Sequence, residues 1–211
     1  MTPSTDAERA RFRLLTLQLM DDREVRFVFQ RPLRHLDRPA WIVRKKKLVR
    51  SFLLRHMASG SVPDMVGLWG LPTRRQTASL RRWLEAERSA IPFVGDLSPS
   101  VLAVWTIIRQ EAREVGVEVP WHGVRDAWLF DPIVSRLPRL TLPQPEGDVR
   151  LWRELSQLPG MDLAAAVGPA CVRLLNAGQK LELDALMNPT IFSAEVHREL
   201  ISRAGLAPRA D

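Results

Sequence analysis

The sequence predicts an α/β domain: a parallel sheet flanked by helices, with a helical C-terminal extension. Short apolar runs bounded by Gly or Pro recur at Ala40–Val43, Met65–Trp69 and Ile91–Asp96. Between them, apolar residues return at helical spacing, and this strand–helix–strand–helix order calls for parallel strands joined by crossovers. With 211 residues, 45% of them hydrophobic and 26% charged, the chain can bury one sizeable core.

Thr5-Asp6-Ala7-Glu8 has the form of a capping box, and Phe12, Leu15, Leu19 and Met20 follow at helical spacing, so a helix is expected over about 5–20. Glu24 to Gln30 alternates, with Val25, Phe27 and Phe29 on one face, as a short edge strand or arm does. The run Ala40-Trp41-Ile42-Val43 leads directly into Arg44-Lys45-Lys46-Lys47 and a helix carrying Leu48, Phe52 and Leu53 that runs out near Gly60. After Met65–Trp69, Thr73 is placed to cap a helix with Leu80, Trp83 and Leu84 on its apolar side. Ile91–Asp96 then delivers an acid to a strand end. Ser98 caps the next helix, with Pro99 in its first turn, where a missing N–H costs nothing. That helix stops at Gly116, and Val117–Trp121 reads as a fourth strand.

From Arg136 to Gly147 the chain is rich in proline (Pro138, Pro143, Pro145) and reads as an extended connector. Helical segments are expected near 148–158, 162–176, 180–187 and 193–204. The organisation is then an N-terminal helix and arm (1–37), an α/β core (38–135), a connector (136–147) and a helical part completing the domain (148–211).

Composition narrows the function. Lys and Arg outnumber Asp and Glu by 31 to 24, a formal charge of +7, which suits a polyanionic partner without requiring one. The single cysteine, Cys171, lies in an apolar helical run and reads as a core residue in a reducing compartment. No apolar signal core opens the sequence and no apolar run is long enough to span a bilayer, so a cytoplasmic location without a membrane partner is expected. There is no Tyr, which excludes a tyrosyl nucleophile in this chain. His35, His56, His122 and His197 are scattered without ligand-like spacing, which argues against a structural zinc site.

In parallel sheets the strand carboxyl ends form the ligand crevice. Here they present Arg44, Gly70 and Asp96, with helix N-termini after Gly70 and Leu97 opening onto the same place. Such termini favour anions. Arg44, Lys45, Lys46, Lys47, Arg74 and Arg75 are therefore candidate phosphate contacts, for which the alternative is a solvated basic surface at a helix start. Asp96 is the candidate metal ligand and catalytic acid. Mg²⁺ calls for more than one carboxylate, and a lone Asp at a strand end instead bonds N–H groups of its own turn.

Gly70-Leu71-Pro72-Thr73-Arg74-Arg75, followed about twenty residues on by Phe93-Val94-Gly95-Asp96-Leu97-Ser98-Pro99, resembles the Toprim domain of topoisomerase VI A subunits. Relatives of that domain include the meiotic double-strand-break transesterase and the Toprim nuclease subunits of Wadjet plasmid-restriction systems. Gly178-Gln179-Lys180-Leu181-Glu182-Leu183-Asp184-Ala185-Leu186 is similar to the family's C-terminal Gly-x-Lys-x-Glu-x-x-Ala-Leu helix, so the resemblance spans about 38–200. It implies a Toprim-like sheet and a Mg²⁺ site made of a Glu after the first strand and an Asp-x-Asp pair after a later one. Carried across, the Glu falls on Arg44 (or Lys45), the first Asp on Asp96 and the second on Ser98. Two of the three acids are gone and one is a cation, which opposes Mg²⁺ but suits a phosphate.

Glu182 matches a family position and is a lesser candidate metal ligand; after Lys180 it reads as an ion-pair partner. Asp126 reads as a turn or cap. Trp69, Trp83 and Trp105 belong either to the core or to an interface. The leading expectation is a degenerate, non-catalytic Toprim-like subunit, a pseudoenzyme without a cofactor. It would bind DNA, a protein partner (or a second copy of itself) or both, in a DNA-processing or anti-plasmid or anti-phage defence complex. The alternatives are a divergent Mg²⁺-dependent DNA nuclease using Asp96, and a purely structural subunit.

Overall fold

The structure is a computed structural model that describes residues 28–30, 40–69, 74–87, 90–158 and 162–206. The helix expected over 5–20 and the Gly70–Thr73 turn with its cap lie outside these residues, as do the side chains of Trp69, Arg74 and Arg75.

Four strands form the main sheet in the order β1–β3–β2–β4: β1 (Val28–Gln30), β2 (Ala40–Val43), β3 (Asp64–Trp69) and β4 (Phe93–Val94). β3, β2 and β4 are parallel, and β1 is an antiparallel edge on β3. Trp41, Ile42 and Val43 are all buried, as a central parallel strand covered on both faces demands. Helix α1 (Lys46–His56) links β2 to β3 and buries Val49, Phe52 and Leu53. Helix α2 (Arg74–Glu87) links β3 to β4, burying Leu80, Trp83 and Leu84. Helix α3 (Pro99–Glu114) buries Trp105, whose indole N–H donates to Val119 O at 2.9 Å. Ser98 Oγ accepts from Val101 N at 3.4 Å, and Pro99 sits in the first turn, as the sequence reads.

The expected fourth strand, Val117–Trp121, does not form. Ile91 N and Phe93 N donate to Glu118 O and Pro120 O, and His122 N donates back to Phe93 O, so the segment does run beside β4. Pro120, however, has no N–H to return to Ile91, and only the Phe93–Trp121 bridge registers.

The expected connector at 136–147 is built differently too. It contains α5 (Leu137–Leu140), which follows the single turn α4 (Asp131–Val134), and then β5 (Thr141–Pro143). Next come α6 (Glu146–Leu155), α7 (Leu163–Val167), α8 (Pro169–Asn176), β6 (Gln179–Leu181), α9 (Leu183–Leu186) and α10 (Ala194–Arg203). β5 and β6 pair antiparallel. The helix expected over 162–176 is broken at Gly168, whose φ of +93° favours glycine. Both oxygens of Asp126 cap the start of α8 there, accepting from Ala170 N at 2.9 Å and Cys171 N at 2.8 Å. Asp126 is thus a cap, and Cys171 is buried.

α1 packs on α10, α2 on α3 and α3 on α6. Among the described residues no helix is long and apolar enough to cross a membrane.

Candidate functional site

β2 and β4 are neighbours whose chains leave in opposite directions. From β2 the chain passes through α1 to β3 on one side; from β4 it passes through α3 to the segment hydrogen-bonded along the other edge of β4. A crevice opens at the carboxyl ends of such a strand pair. Arg44 N donates to Val94 O at 3.1 Å, carrying the pairing one residue past β2 and setting Lys45 opposite Asp96. Two glycines let the backbones approach. A Cβ on Gly123 would lie 2.4 Å from Gly95 O, and one on Gly95 would lie 2.5 Å from Val101 Cγ1.

Asp96 is 7% exposed. Its Oδ1 accepts from Leu183 N at 2.7 Å and lies 3.2 Å from Lys45 Nζ. The partner amide therefore comes from the start of α9, not from the residue's own turn as the isolated sequence suggests. β6 brings it there: Leu97 and Leu181 exchange two backbone hydrogen bonds of 2.9 and 3.0 Å. The helix expected over 180–187 is accordingly a strand and a short helix, with Glu182 at the junction. Gly178, at φ +69°, turns the chain back so that β6 meets β5 on one side and Leu97 on the other.

Three carboxylates converge on Lys45. Its ammonium lies 3.0 Å from Glu182 Oε2, contacts the Asp184 carboxylate and holds Asp96. Lys180 Nζ takes the other Glu182 oxygen at 2.9 Å. Burial lowers the Lys45 pKa, but hydrogen bonds to Asp184 and Glu182 and the charge of Asp96 outweigh it, so the group is held protonated. Burial raises the Asp96 pKa, against the Leu183 N–H and Lys45. The hydrogen bond from Lys180, with Lys45 behind it, lowers that of Glu182.

The cation among the acids is thus Lys45, and Arg44 points elsewhere. Arg44 Nη1 approaches Leu68 O at 3.5 Å, the limit of a hydrogen bond, and burial lowers its pKa while Asp96 opposes that shift. Lys46 and Lys47 occupy the first turn of α1, Lys47 exposed and Lys46 half-buried. Arg74 and Arg75 begin α2. Ser98, at the second expected acid position, is the cap of α3. Asp184, in the first turn of α9, is a member that the motifs and strand ends do not single out; in the sequence it continues the polar–apolar alternation Lys180-Leu181-Glu182-Leu183 that leads out of β6.

Mg²⁺ does not fit this arrangement. A tethered ammonium already lies within contact of all three acids, and a divalent ion there would meet it at close range. Among the described residues, no group of three or more His, Cys, Asp or Glu is disposed to hold a metal ion. No protein-family model matches the chain. No curated protein matches it either. The site therefore rests on its own geometry: a charge-compensated acidic crevice, closed by a C-terminal strand, beside a basic helix start.

Proposed function

We propose that the chain is a degenerate, non-catalytic Toprim-like subunit that binds DNA, a protein partner or both within a DNA-processing or defence complex. The observation that supports this reading is the Lys45 ammonium at the centre of Asp96, Glu182 and Asp184. A lysine neutralises carboxylates as a metal would, but it offers no open coordination position and no bound water to ionise. What such a site retains is shape and charge. The first turns of α1 carry Lys46, Lys47 and Arg50, the last two exposed, next to the crevice. Together with the +7 charge of the chain, they suit phosphate contacts that give sequence-independent, salt-sensitive binding.

The test uses the intact chain and a short DNA duplex, with anisotropy read across ionic strengths. Binding should weaken steeply with salt, and Lys47→Glu with Arg50→Glu should flatten the slope by about 0.9 for each phosphate no longer neutralised. Salt-independent or undetectable binding removes the DNA half of the proposal. Incubation with plasmid and Mg²⁺ or Mn²⁺ tests the other half: cleavage that disappears in Asp96→Ala overturns the non-catalytic reading in favour of a divergent nuclease.

A further inference from the structure

The interface between α1 and α10 contains a pair of histidines that the crevice does not use. His197, on α10, is 1% exposed, and its Nε2 lies 3.1 Å from Leu186 O. A carbonyl only accepts, so Nε2 carries the proton of the neutral ring and Nδ1 its lone pair. Phe52 meets this ring edge-on at 5.0 Å, and the His56 ring lies 5.2 Å away. The charged groups that face the pair are cations, Arg55 from α1 and Arg198 from α10.

The acids of the surrounding elements have other partners. Asp184 of α9 holds Lys45, Glu195 pairs with Arg198 at 3.8 Å, and Glu199 with Arg203 at 2.6 Å. At the short turn Asp126–Trp128, before α4, Asp126 reaches across to cap α8, and Arg125 donates to Arg203 O at the end of α10. No carboxylate is ion-paired with either imidazole among the described residues, so a second proton on His197 would be a buried charge facing a like-charged neighbour. Burial, with Arg55 and Arg198, holds the His56 ring below the ordinary histidine pKa, and burial, with His56 and Arg55 and against the Leu186 hydrogen bond, does the same for His197.

Leu186 connects this pair to the crevice. It ends α9, whose first residue supplies the N–H that Asp96 accepts, and Glu182 and Asp184 flank that residue. The packing of α10 also leaves an apolar cleft lined by Trp41, Phe52, Met187, Leu200, Ile201 and Leu206, so the helix is seated on an incompletely filled surface.

We propose that His56 and His197 form a proton-operated latch, which at mildly acidic pH releases α10 from α1 and loosens the α9 turn that holds Asp96 and Lys45. The latch is independent of the nucleic-acid reading. His56 is half-buried at the edge of the interface, so its proton adds a charge beside His197, whose own imidazolium reaches water only if α10 tips away; the lost seat for Leu186 then reaches the amide of Leu183.

Hydrogen exchange of the intact chain between pH 7.5 and 5.5, corrected for intrinsic exchange, reads the opening directly. Below about pH 6.5, opening of α10 amides such as those of Leu200 and Ile201 should rise by up to about 100-fold per pH unit for two linked protons. The Leu183–Met187 amides should follow, while α3 amides such as that of Ile108 stay protected. His56→Gln should reduce the dependence to about 10-fold per pH unit, as should His197→Gln, whose amide still donates to Leu186 O. The double variant should be flat. A flat wild type, a double variant that keeps the pH dependence, or α3 opening together with α10 would each overturn the latch.

Discussion

Replacing Lys45 with Met removes the ammonium while keeping most of the side-chain volume, and so tests whether it compensates the crevice. At 3.2 Å from Asp96, with an effective dielectric constant of about 20, the gross attraction is about 5 kcal/mol. Desolvation offsets much of this. Breaking a fully buried pair costs about 3–5 kcal/mol, chiefly because a charge is left uncompensated. Here the Lys45 side chain retains 28% exposure, against 10% for Asp96, and Leu183 N–H continues to support the carboxylate. The expected loss is therefore about 2–3 kcal/mol, a fall in Tm of about 4–12 °C for a chain of this length. Urea unfolding followed by tryptophan fluorescence measures it, provided m is unchanged. A double-mutant cycle with Asp96→Asn, which keeps an acceptor for Leu183 N, should give a coupling of at least about 1 kcal/mol. A loss below about 0.5 kcal/mol, or additive substitutions, would refute the argument that Lys45 is the cation the acids require.

Gly123→Ala should cost more than about 3 kcal/mol or prevent folding, because its Cβ meets the Gly95 backbone, whereas Gly60→Ala, with open space around it, should be nearly neutral; thermal melts compare the two. Asp126→Ala uncaps α8 and leaves the Ala170 and Cys171 amides unpaired, for an expected loss of about 1–2 kcal/mol by urea unfolding. Glu182→Gln should lower Tm at neutral pH, and the difference from wild type should vanish in acid. The folded pKa of Glu182 is depressed, so its contribution is present above the ordinary value of 4.5 and is lost as pH falls through the folded one. A Tm difference that persists unchanged into acid would contradict that sign.

Where local chemistry decides, the sequence is a good guide. Trp41-Ile42-Val43 is apolar without alternation, the mark of a central parallel strand, and Ser98-Pro99 announces the start of α3. The crevice is readable from the strand ends as far as Asp96. Lys45 and Glu182 are named as candidates in other roles, but their meeting with Asp96, Asp184 and the Leu183 amide is not legible, because an 87-residue separation divides Asp96 from Leu183 and nothing local to either specifies the meeting. Lys180–Met187 is read as a helix, but Lys180 to Ala185 alternate polar and apolar with a period of two, and the first part forms β6 before α9 begins. Val117–Trp121 fails as a strand because Pro120 withholds one donor. Which of two consecutive cations faces the acids depends on the twist of the turn after β2, and periodicity does not encode that.

The Leu97–Leu181 bridge also bears on how the molecule matures. Lys45 and Asp184 stand 139 positions apart, so closing the crevice must await docking of a segment made long after the sheet. A ribosome-bound chain holding only the first four strands would carry Asp96 without the amide that steadies it. The acidic centre is then among the last parts to set, and its completion reports that the whole domain has been assembled.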